Sequence, residues 1–203
     1  MKGNVHYDEK YVQVGDDWNF DLNAVDSVTK FVLAHKFTDE RTKKVCIEFL
    51  NEIKDNCYPQ ILERYLSEKH KKIKDRGLFE FVCDGFANYK SAFNKLFRRT
   101  ANLTFGVPIA NKKHGLKHNN NPAERYNGKL DDRLKIIRGG FGSFEGAECF
   151  MNLKRTIHNF VNPHQQLQGK TPAEMAEIFL PLKRNKLISL IEYRVSHLQG
   201  INR

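Results

Sequence analysis

The chain has 203 residues, of which 40% are hydrophobic and 29% are charged, a composition that excludes a wholly disordered chain and allows one sizeable core. No run approaches the roughly 18 consecutive apolar residues that span a membrane, so we expect no membrane partner. The net charge of +10 instead favours a polyanionic partner.

Four cysteines are spread along the chain without a C-x-x-C pair, at positions Cys46, Cys57, Cys83 and Cys149. This spacing indicates neither a zinc site nor a disulfide scaffold. The first residues are polar and strand-like, unlike an apolar signal segment. We therefore expect a reduced cytoplasmic setting, in association with the nucleoid if the polyanion is DNA.

The first 37 residues predict three strands. Apolar residues alternate with polar ones around Val12 and again over 20–24, which is the period of a strand. A third apolar stretch covers 30–34. The turns between them are short, at 15–17 and 26–27, so these strands should form an antiparallel meander.

The later elements alternate between helix and strand. Thr38 is a suitable N-cap for a helix over 39–55, and a second helix is predicted over 59–75. The elements that follow are a strand over 79–84, a helix over 87–98, a strand over 103–107, a basic loop over 110–120, helices over about 122–137 and 144–161, and a helical segment from Pro172 to about Ile201 with a break near Pro181.

This order predicts an α/β fold with a mixed five-stranded sheet, in which three antiparallel strands are followed by a βαβ unit and helices flank the sheet. The pattern is compatible with a ribonuclease-H-like fold, although many other mixed folds share it. We divide the chain into a domain over 1–178 and a C-terminal helical extension over 179–203.

Two carboxylates fall on predicted strands: Asp8 in the middle of the first and Asp84 at the end of the fourth. Carboxylates are disfavoured in strands unless they lie at a surface, at a strand end or in a site, and each alone is typical of a surface residue. A pair on neighbouring strands suits divalent cations such as Mg²⁺, which prefer oxygen ligands. Strand alternation puts His6 on the same face as Asp8, which leaves a role for His6 in the site open.

Glu124 has a structural interpretation as well as a functional one. The sequence Asn121-Pro122-Ala123-Glu124 fits a helix start, with Asn as the N-cap, Pro in the first turn and Glu at the capping-box position. The same arrangement recurs at 171–174, where we expect a purely structural role. Spacing alone favours capping for Glu124 too.

Positive charge is concentrated in the second half of the chain. Residues 1–110 carry 18 Lys and Arg against 16 Asp and Glu, and residues 111–203 carry 16 against 8. Residues 85–123, between Asp84 and Glu124, contain no acidic residue. A solvated basic face is the ordinary explanation of such a run, but its position between two candidate ligands favours a surface that contacts phosphates.

The chain contains, in this order, the segments HYDEKYV, VCDGFANYKSAF, NNNPAERYNGKLDDRLKII with RGGFGSFEGAECF, and HNFVNPHQQLQGKTPAEMA. Together these segments resemble the catalytic domain of bacterial and archaeal insertion-sequence transposases, in the wider group of DDE transposases and retroviral integrases. The resemblance covers most of residues 5–178.

This resemblance implies that Asp8, Asp84 and Glu124 are the catalytic triad and hold two Mg²⁺ or Mn²⁺ ions. It implies an enzyme that cuts DNA and joins strands in transposition, with element ends and target DNA as partners and a homodimer or larger multimer on the DNA. The 39 residues between Asp84 and Glu124 are somewhat more than is common in the family, and a lengthened loop at 110–120 accounts for the difference.

The basic residue that relatives often place after the glutamate is not evident here. Gly128 and Asp131 occupy the positions four and seven residues after Glu124, and Lys135 is eleven residues after it. Arg125 and Lys129 are nearby but rotated away on a helix. The candidates for DNA contact are Arg98, Arg99, Lys112, Lys113, Lys117, Arg125, Lys129 and Lys135.

Two other functions stay open: a metal-dependent nuclease of the same fold that only hydrolyses, and an inactive DNA-binding remnant of a mobile element. Because Asp8 is only seven residues from Met1, we also expect no module that reads element ends ahead of the domain. Binding to DNA should then depend strongly on salt and little on sequence.

Overall fold

The computed structural model describes residues 1–107, 120–137 and 140–198. Its elements, in chain order, are β1 (Val5–Val14), β2 (Asp17–Asp26), β3 (Val32–Thr38), α1 (Lys43–Glu68), β4 (Glu80–Cys83), α2 (Ala87–Leu96), β5 (Asn102–Phe105), α3 (Asn121–Leu134), α4 (Phe144–Phe160), α5 (Pro172–Met175) and α6 (Lys186–Leu198).

The five strands form one mixed sheet in the order β3-β2-β1-β4-β5. Strands β1, β2 and β3 pair antiparallel, whereas β4 pairs parallel to both β1 and β5. Val5 lies opposite Phe81, and His6 lies opposite Val82. The predicted meander followed by a βαβ unit is therefore confirmed.

Helices cover both faces of the sheet. On one face, α1 and α2 enclose a core that includes Tyr7, Phe49 and Phe81. On the other face, α3 and α4 enclose a core that includes Val12 and Met151. Alternation along β1 accounts for the division, because Tyr7 and Val12 point to opposite faces of the strand. Burial of each such side chain contributes about 1.5–3 kcal/mol to the stability of the layers.

The helix after the meander differs from its prediction. A single 26-residue helix α1 replaces the two predicted ones, and its N-cap is Thr42, not Thr38. The Thr42 hydroxyl accepts a hydrogen bond from the backbone N–H of Val45 at 3.4 Å. Pro59 lies inside α1 although a proline costs a helix interior about 3 kcal/mol. The helix continues because Ile53 and Ile61, on either side of that proline, are both fully buried.

The C-terminal helical segment is also interrupted for longer than predicted. Helix α5 ends at Met175 and α6 begins at Lys186, so the break is much wider than a kink at Pro181. The capping box at the start of α5 is present: the hydroxyl of Thr171 accepts from the N–H of Glu174, and the carboxylate of Glu174 accepts from the N–H of Thr171. None of the helices in the described part of the chain is long and apolar enough to cross a membrane.

Candidate metal centre

Asp8 and Asp84 lie side by side on neighbouring strands. Continuing the parallel register of β1 and β4 by two residues places Asp84, which directly follows β4, opposite Asp8. A carboxylate oxygen from each, together with one from Glu9, lies within 4.8 Å of the others. The structure therefore brings the two predicted strand carboxylates together and adds a third that the sequence analysis did not select.

Glu9 belongs to the opposite face of β1, because adjacent strand residues point in opposite directions. Its carboxylate accepts a hydrogen bond from the Tyr89 hydroxyl at 2.7 Å and forms an ion pair with Arg41. Each oxygen of Glu9 thus already has a partner, and Arg41 is the cationic one. The adjacent acidic pair Asp8-Glu9 in a strand was a signal for Glu9, but only the structure shows these contacts.

The carboxyl group of Asp8 is held in an environment that opposes its ionisation. Burial in the first place, and then the negative charges of Glu9, Asp84 and Glu124, raise the pKa of Asp8 from its usual 3.8 to about 7. A hydrogen bond from the backbone N–H of Glu9 acts in the opposite direction. A half-buried carboxylate surrounded by other carboxylates is stabilised by a bound cation.

Helix α3 carries Glu124 to the same face of the sheet. Asn127, one turn after Glu124, donates a hydrogen bond from Nδ2 to Oδ2 of Asp8 at 3.2 Å. Asn120 donates from its side chain to the backbone carbonyl of Tyr7 at 3.3 Å. Glu124 is half-buried, and burial raises its pKa. Its charge acts on Asp8, although it is not one of the three carboxylates whose oxygens lie within 4.8 Å of one another.

The capping interpretation of Glu124 is wrong. Helix α3 begins at Asn121, its N-cap is Asn120, and the Asn120 side chain makes no capping hydrogen bond. Glu124 is therefore the fourth helical residue, one beyond the capping-box position. The contrast with Thr171 and Glu174, where the box forms, leaves the Glu124 carboxylate free of a capping role.

A row of buried polar side chains on β2 and β3 holds Asn127 in position. Asn23 lies opposite Asp8 on β2 and opposite His35 on β3. The Asn23 amide donates to Asn127 at 3.5 Å and to Asp21 at 2.8 Å, and the other oxygen of Asp21 lies 2.5 Å from Nε2 of His35. Since Asp21 and Asn23 are fully buried, this row fixes the orientation of the side chain that holds Asp8.

Replacing Asn127 by Leu should raise the pKa of Asp8 above about 7, because the carboxylate loses a hydrogen-bond donor and gains apolar surroundings. Carbon NMR of the aspartate carboxyl groups measures this pKa directly. An Asn127→Ser variant, which retains a donor, should shift the pKa less. An unchanged pKa in Asn127→Leu would show that this hydrogen bond does not control Asp8.

The basic residues predicted to contact DNA are dispersed. Arg98 and Arg99 are exposed and follow the end of α2 at Leu96 instead of lying within the helix. Lys135, just beyond α3, is exposed and lies 3.9 Å from Asp132. The candidates that fall outside the described residues are Lys112, Lys113 and Lys117.

Arg125 and Lys129 lie on the flank of α3 that lines a cavity together with Lys30. Asp131, at the position where relatives place a basic residue, forms an ion pair with Lys10 of β1 at 2.5 Å. The structure thus supplies a cation close to this position from the sheet, not from the helix.

Comparisons with known proteins support the fold. No protein-family model and no curated protein matches the sequence. Among solved structures, a chain of the simian T-cell lymphotropic virus intasome, determined in complex with PP2A regulatory subunit B56 gamma, matches with a TM-score of 0.58 and 13% identity. That match covers 90% of this chain and 56% of the other.

The catalytic core domain of HTLV-2 integrase, solved in complex with magnesium, matches with a TM-score of 0.51 and 12% identity. It covers 85% of this chain and 95% of that domain. At such low identity the likeness establishes the fold alone. The five-stranded sheet with its flanking helices is a ribonuclease-H-like fold, with which the predicted order of elements is compatible.

Proposed function

We propose that this chain is the catalytic core of a DDE-type DNA transposase, which cuts DNA and transfers the cut strand to target DNA in a metal-dependent reaction. The observation that carries this proposal is the placement of Asp8 beside Asp84 on parallel strands of a ribonuclease-H-like sheet. Helix α3 adds Glu124 on the same face. The sequence segments that resemble insertion-sequence transposases, which occur in the same order here, support the same proposal.

The donor set fits a hard divalent cation. The candidate ligands are carboxylate oxygens from Asp8, Asp84 and Glu124, and Mg²⁺ and Mn²⁺ prefer such ligands. The charges that act most strongly on Asp8 are negative, so a cation there removes the repulsion that raises its pKa. Asp8, Asp84 and Glu124 would hold the ions.

Bound divalent ions supply the activation of an attacking oxygen and the neutralisation of a leaving oxygen in phosphoryl transfer. The chain's own residues hold the candidate metal ligands in position. Asn127 orients Asp8, and the N–H of Phe86 donates to Oδ1 of Asp84 at 3.0 Å, which fixes the second aspartate. Arg41 and Tyr89 occupy the two carboxylate oxygens of Glu9, so that Glu9 does not compete with the aspartates as a metal ligand.

Basic residues from both parts of the chain provide the surface for element ends and target DNA. Arg98, Arg99 and Lys135 are exposed and contact backbone phosphates in this proposal, as do Lys112, Lys113 and Lys117. The protein works as a dimer or larger multimer on DNA, with residues 179–203 as a helical extension of the domain. Its association with the nucleoid follows from the same charge.

A strand-transfer assay tests the proposal. The purified chain is incubated with a labelled duplex that carries a free 3′-hydroxyl and with a supercoiled plasmid, in Mg²⁺, in Mn²⁺ or in EDTA. We expect joined products in either metal and none in EDTA.

Two other results would overturn strand transfer and identify the alternative. Nicked plasmid without joined product indicates a nuclease that only hydrolyses. Salt-sensitive DNA binding with neither nicks nor joined products in both metals indicates a non-catalytic remnant.

A further inference from the structure

A cavity of about 560 Å³ opens beside α3 on the flank opposite Glu124. Pro122, Arg125 and Lys129 line it at the three- and four-residue spacing that marks one side of a helix. Glu124 and Asn127 lie on the other flank, next to Asp8. A helix with its side chains is about 10 Å wide, so the cavity and the candidate metal centre are about one helix width apart.

Positive charge lines this cavity without a matching negative charge. Lys30, Arg125 and Lys129 all reach it, and none of its lining residues in the described part of the chain is acidic. No carboxylate within 4 Å pairs with these three cations among those residues. Burial and the charge of Arg125 lower the pKa of Lys30, and burial and the charge of Lys30 lower that of Lys129.

Asp26 is the nearby acidic residue that acts on Lys30, but its carboxylate is already occupied. It accepts hydrogen bonds from the backbone N–H groups of Lys2, Gly3, Val28 and Thr29 at 2.7–3.0 Å. Its charge raises the pKa of Lys30, but burial and the charge of Arg125 outweigh it, so the pKa of Lys30 stays lowered.

His164 adds a neutral donor to this set. Its Nε2 lies 2.9 Å from Nζ of Lys129, and since an ammonium can only donate, Nε2 must accept and the ring proton must be on Nδ1. Nδ1 is buried and has no hydrogen-bond partner among the described residues. Buried polar groups are normally paired, so His164, which lines the cavity, holds a donor without an acceptor in the cavity wall.

We infer that this cavity binds one phosphate group of the DNA backbone, held by Arg125 and Lys129 with Lys30 and His164. A guanidinium, two ammonium groups and an imidazole N–H suit a group with several acceptor oxygens, and they suit a phosphate better than a single carbonyl. The inference rests on the proposed action on DNA and deepens it. It places one phosphate a helix width from the reacting one, so the strand passes across α3.

DNA binding without metal tests this inference separately from catalysis. Fluorescence anisotropy of a labelled duplex is measured in EDTA against salt for Arg125→Gln, Lys129→Gln, the double variant and the exposed control Lys74→Gln, which does not line the cavity. Each single variant should lower affinity on the order of tenfold at low salt. The control should match the parent protein.

The salt dependence distinguishes one shared phosphate from two separate contacts, because its log–log slope counts neutralised phosphates. If Arg125 and Lys129 hold the same phosphate, the double variant should lose about one unit of slope. A loss of about two units indicates independent surface contacts and overturns the inference, as does a slope equal to that of the parent.

A second arm tests the source of the phosphate. Inorganic phosphate, followed by NMR of the His164 ring, should shift its signals in the parent and not in the double variant. Shifted signals together with unchanged DNA affinity in the double variant would mean that the cavity takes free phosphate, and would overturn a DNA role. If the double variant shows the expected loss of slope but the parent protein shows no strand transfer, the result would count against the proposed function. The assignment of this cavity to a DNA phosphate would then still stand.

Discussion

Asp8→Asn and Asp84→Asn should each lower metal-dependent cleavage and strand transfer by about a thousandfold or more, while the protein stays folded. An amide cannot replace a charged ligand of a hard divalent ion, and three factors of ten in rate correspond to about 4 kcal/mol of lost transition-state stabilisation. Because the side chains keep their size, the sheet should not be disturbed. Product formation in Mg²⁺ measures the loss, and circular dichroism confirms folding.

Glu124→Gln should have a comparable effect if Glu124 completes the metal centre. Asp132→Asn is the matched control, since Asp132 lies on the same helix, is about three-quarters exposed and has only the weak contact to Lys135 at 3.9 Å. That variant should retain full activity. Full activity in Glu124→Gln would remove Glu124 from the triad, and full activity in either aspartate variant would refute the metal centre as assigned.

Without metal, Asp8→Asn should make the protein more stable at neutral and higher pH. The Asp8 pKa is raised to about 7 in the folded protein, so folding disfavours the charged carboxylate. Each tenfold change in proton affinity corresponds to about 1.4 kcal/mol. Because water reaches this half-buried group, the full shift overstates the effect on stability. We therefore expect the free energy of unfolding to rise by about 2 kcal/mol, or the Tm by roughly 5 °C. The amide retains an acceptor for Asn127.

The pH dependence of this gain follows from the direction of the shift. In the unfolded chain Asp8 ionises near its usual 3.8, and in the folded protein it ionises near 7. The parent protein therefore loses stability relative to the variant as pH rises between these values, and the difference is constant above them. Thermal unfolding in EDTA at several pH values should show no difference at about pH 4 and the full difference at about pH 8.

Addition of Mg²⁺ at high pH should reverse the order of stability. A cation that binds only the folded protein stabilises it by mass action, and Asp8→Asn removes one of its ligands. The Tm of the parent should rise with Mg²⁺ concentration, and that of the variant should rise little. Equal increases in both proteins would place the bound metal away from Asp8.

Much of the fold was accessible from the sequence because its determinants are local. Alternation around Val12 predicted a strand, and apolar residues at helical spacing predicted the helices that the structure has as α2 and α4. Local signals failed where tertiary burial outweighed them. Two helices were predicted, over 39–55 and 59–75, but burial of Ile53 and Ile61 carries α1 through Pro59.

The candidate site divides in the same way. The sequence by itself determined that Asp8 is a carboxylate on a strand and Asp84 one at the end of a strand. The resemblance to transposase segments singled out Glu124. Spacing could not separate a capping role from a site role for Glu124, since both need a glutamate near a helix start. The start of α3 at Asn121 decided against capping, because it puts Glu124 one residue beyond the capping-box position.

Only the tertiary structure decided which side chains meet. The parallel register of β1 and β4 sets Asp8 beside Asp84 across some 75 residues of chain, and antiparallel pairing aligns Asn23 with Asp8 and with His35. The ion pair of Glu9 and the basic cavity beside α3 also depend on such pairings. Contacts between distant segments come from packing of the layers, which periodicity and spacing along a sequence do not encode.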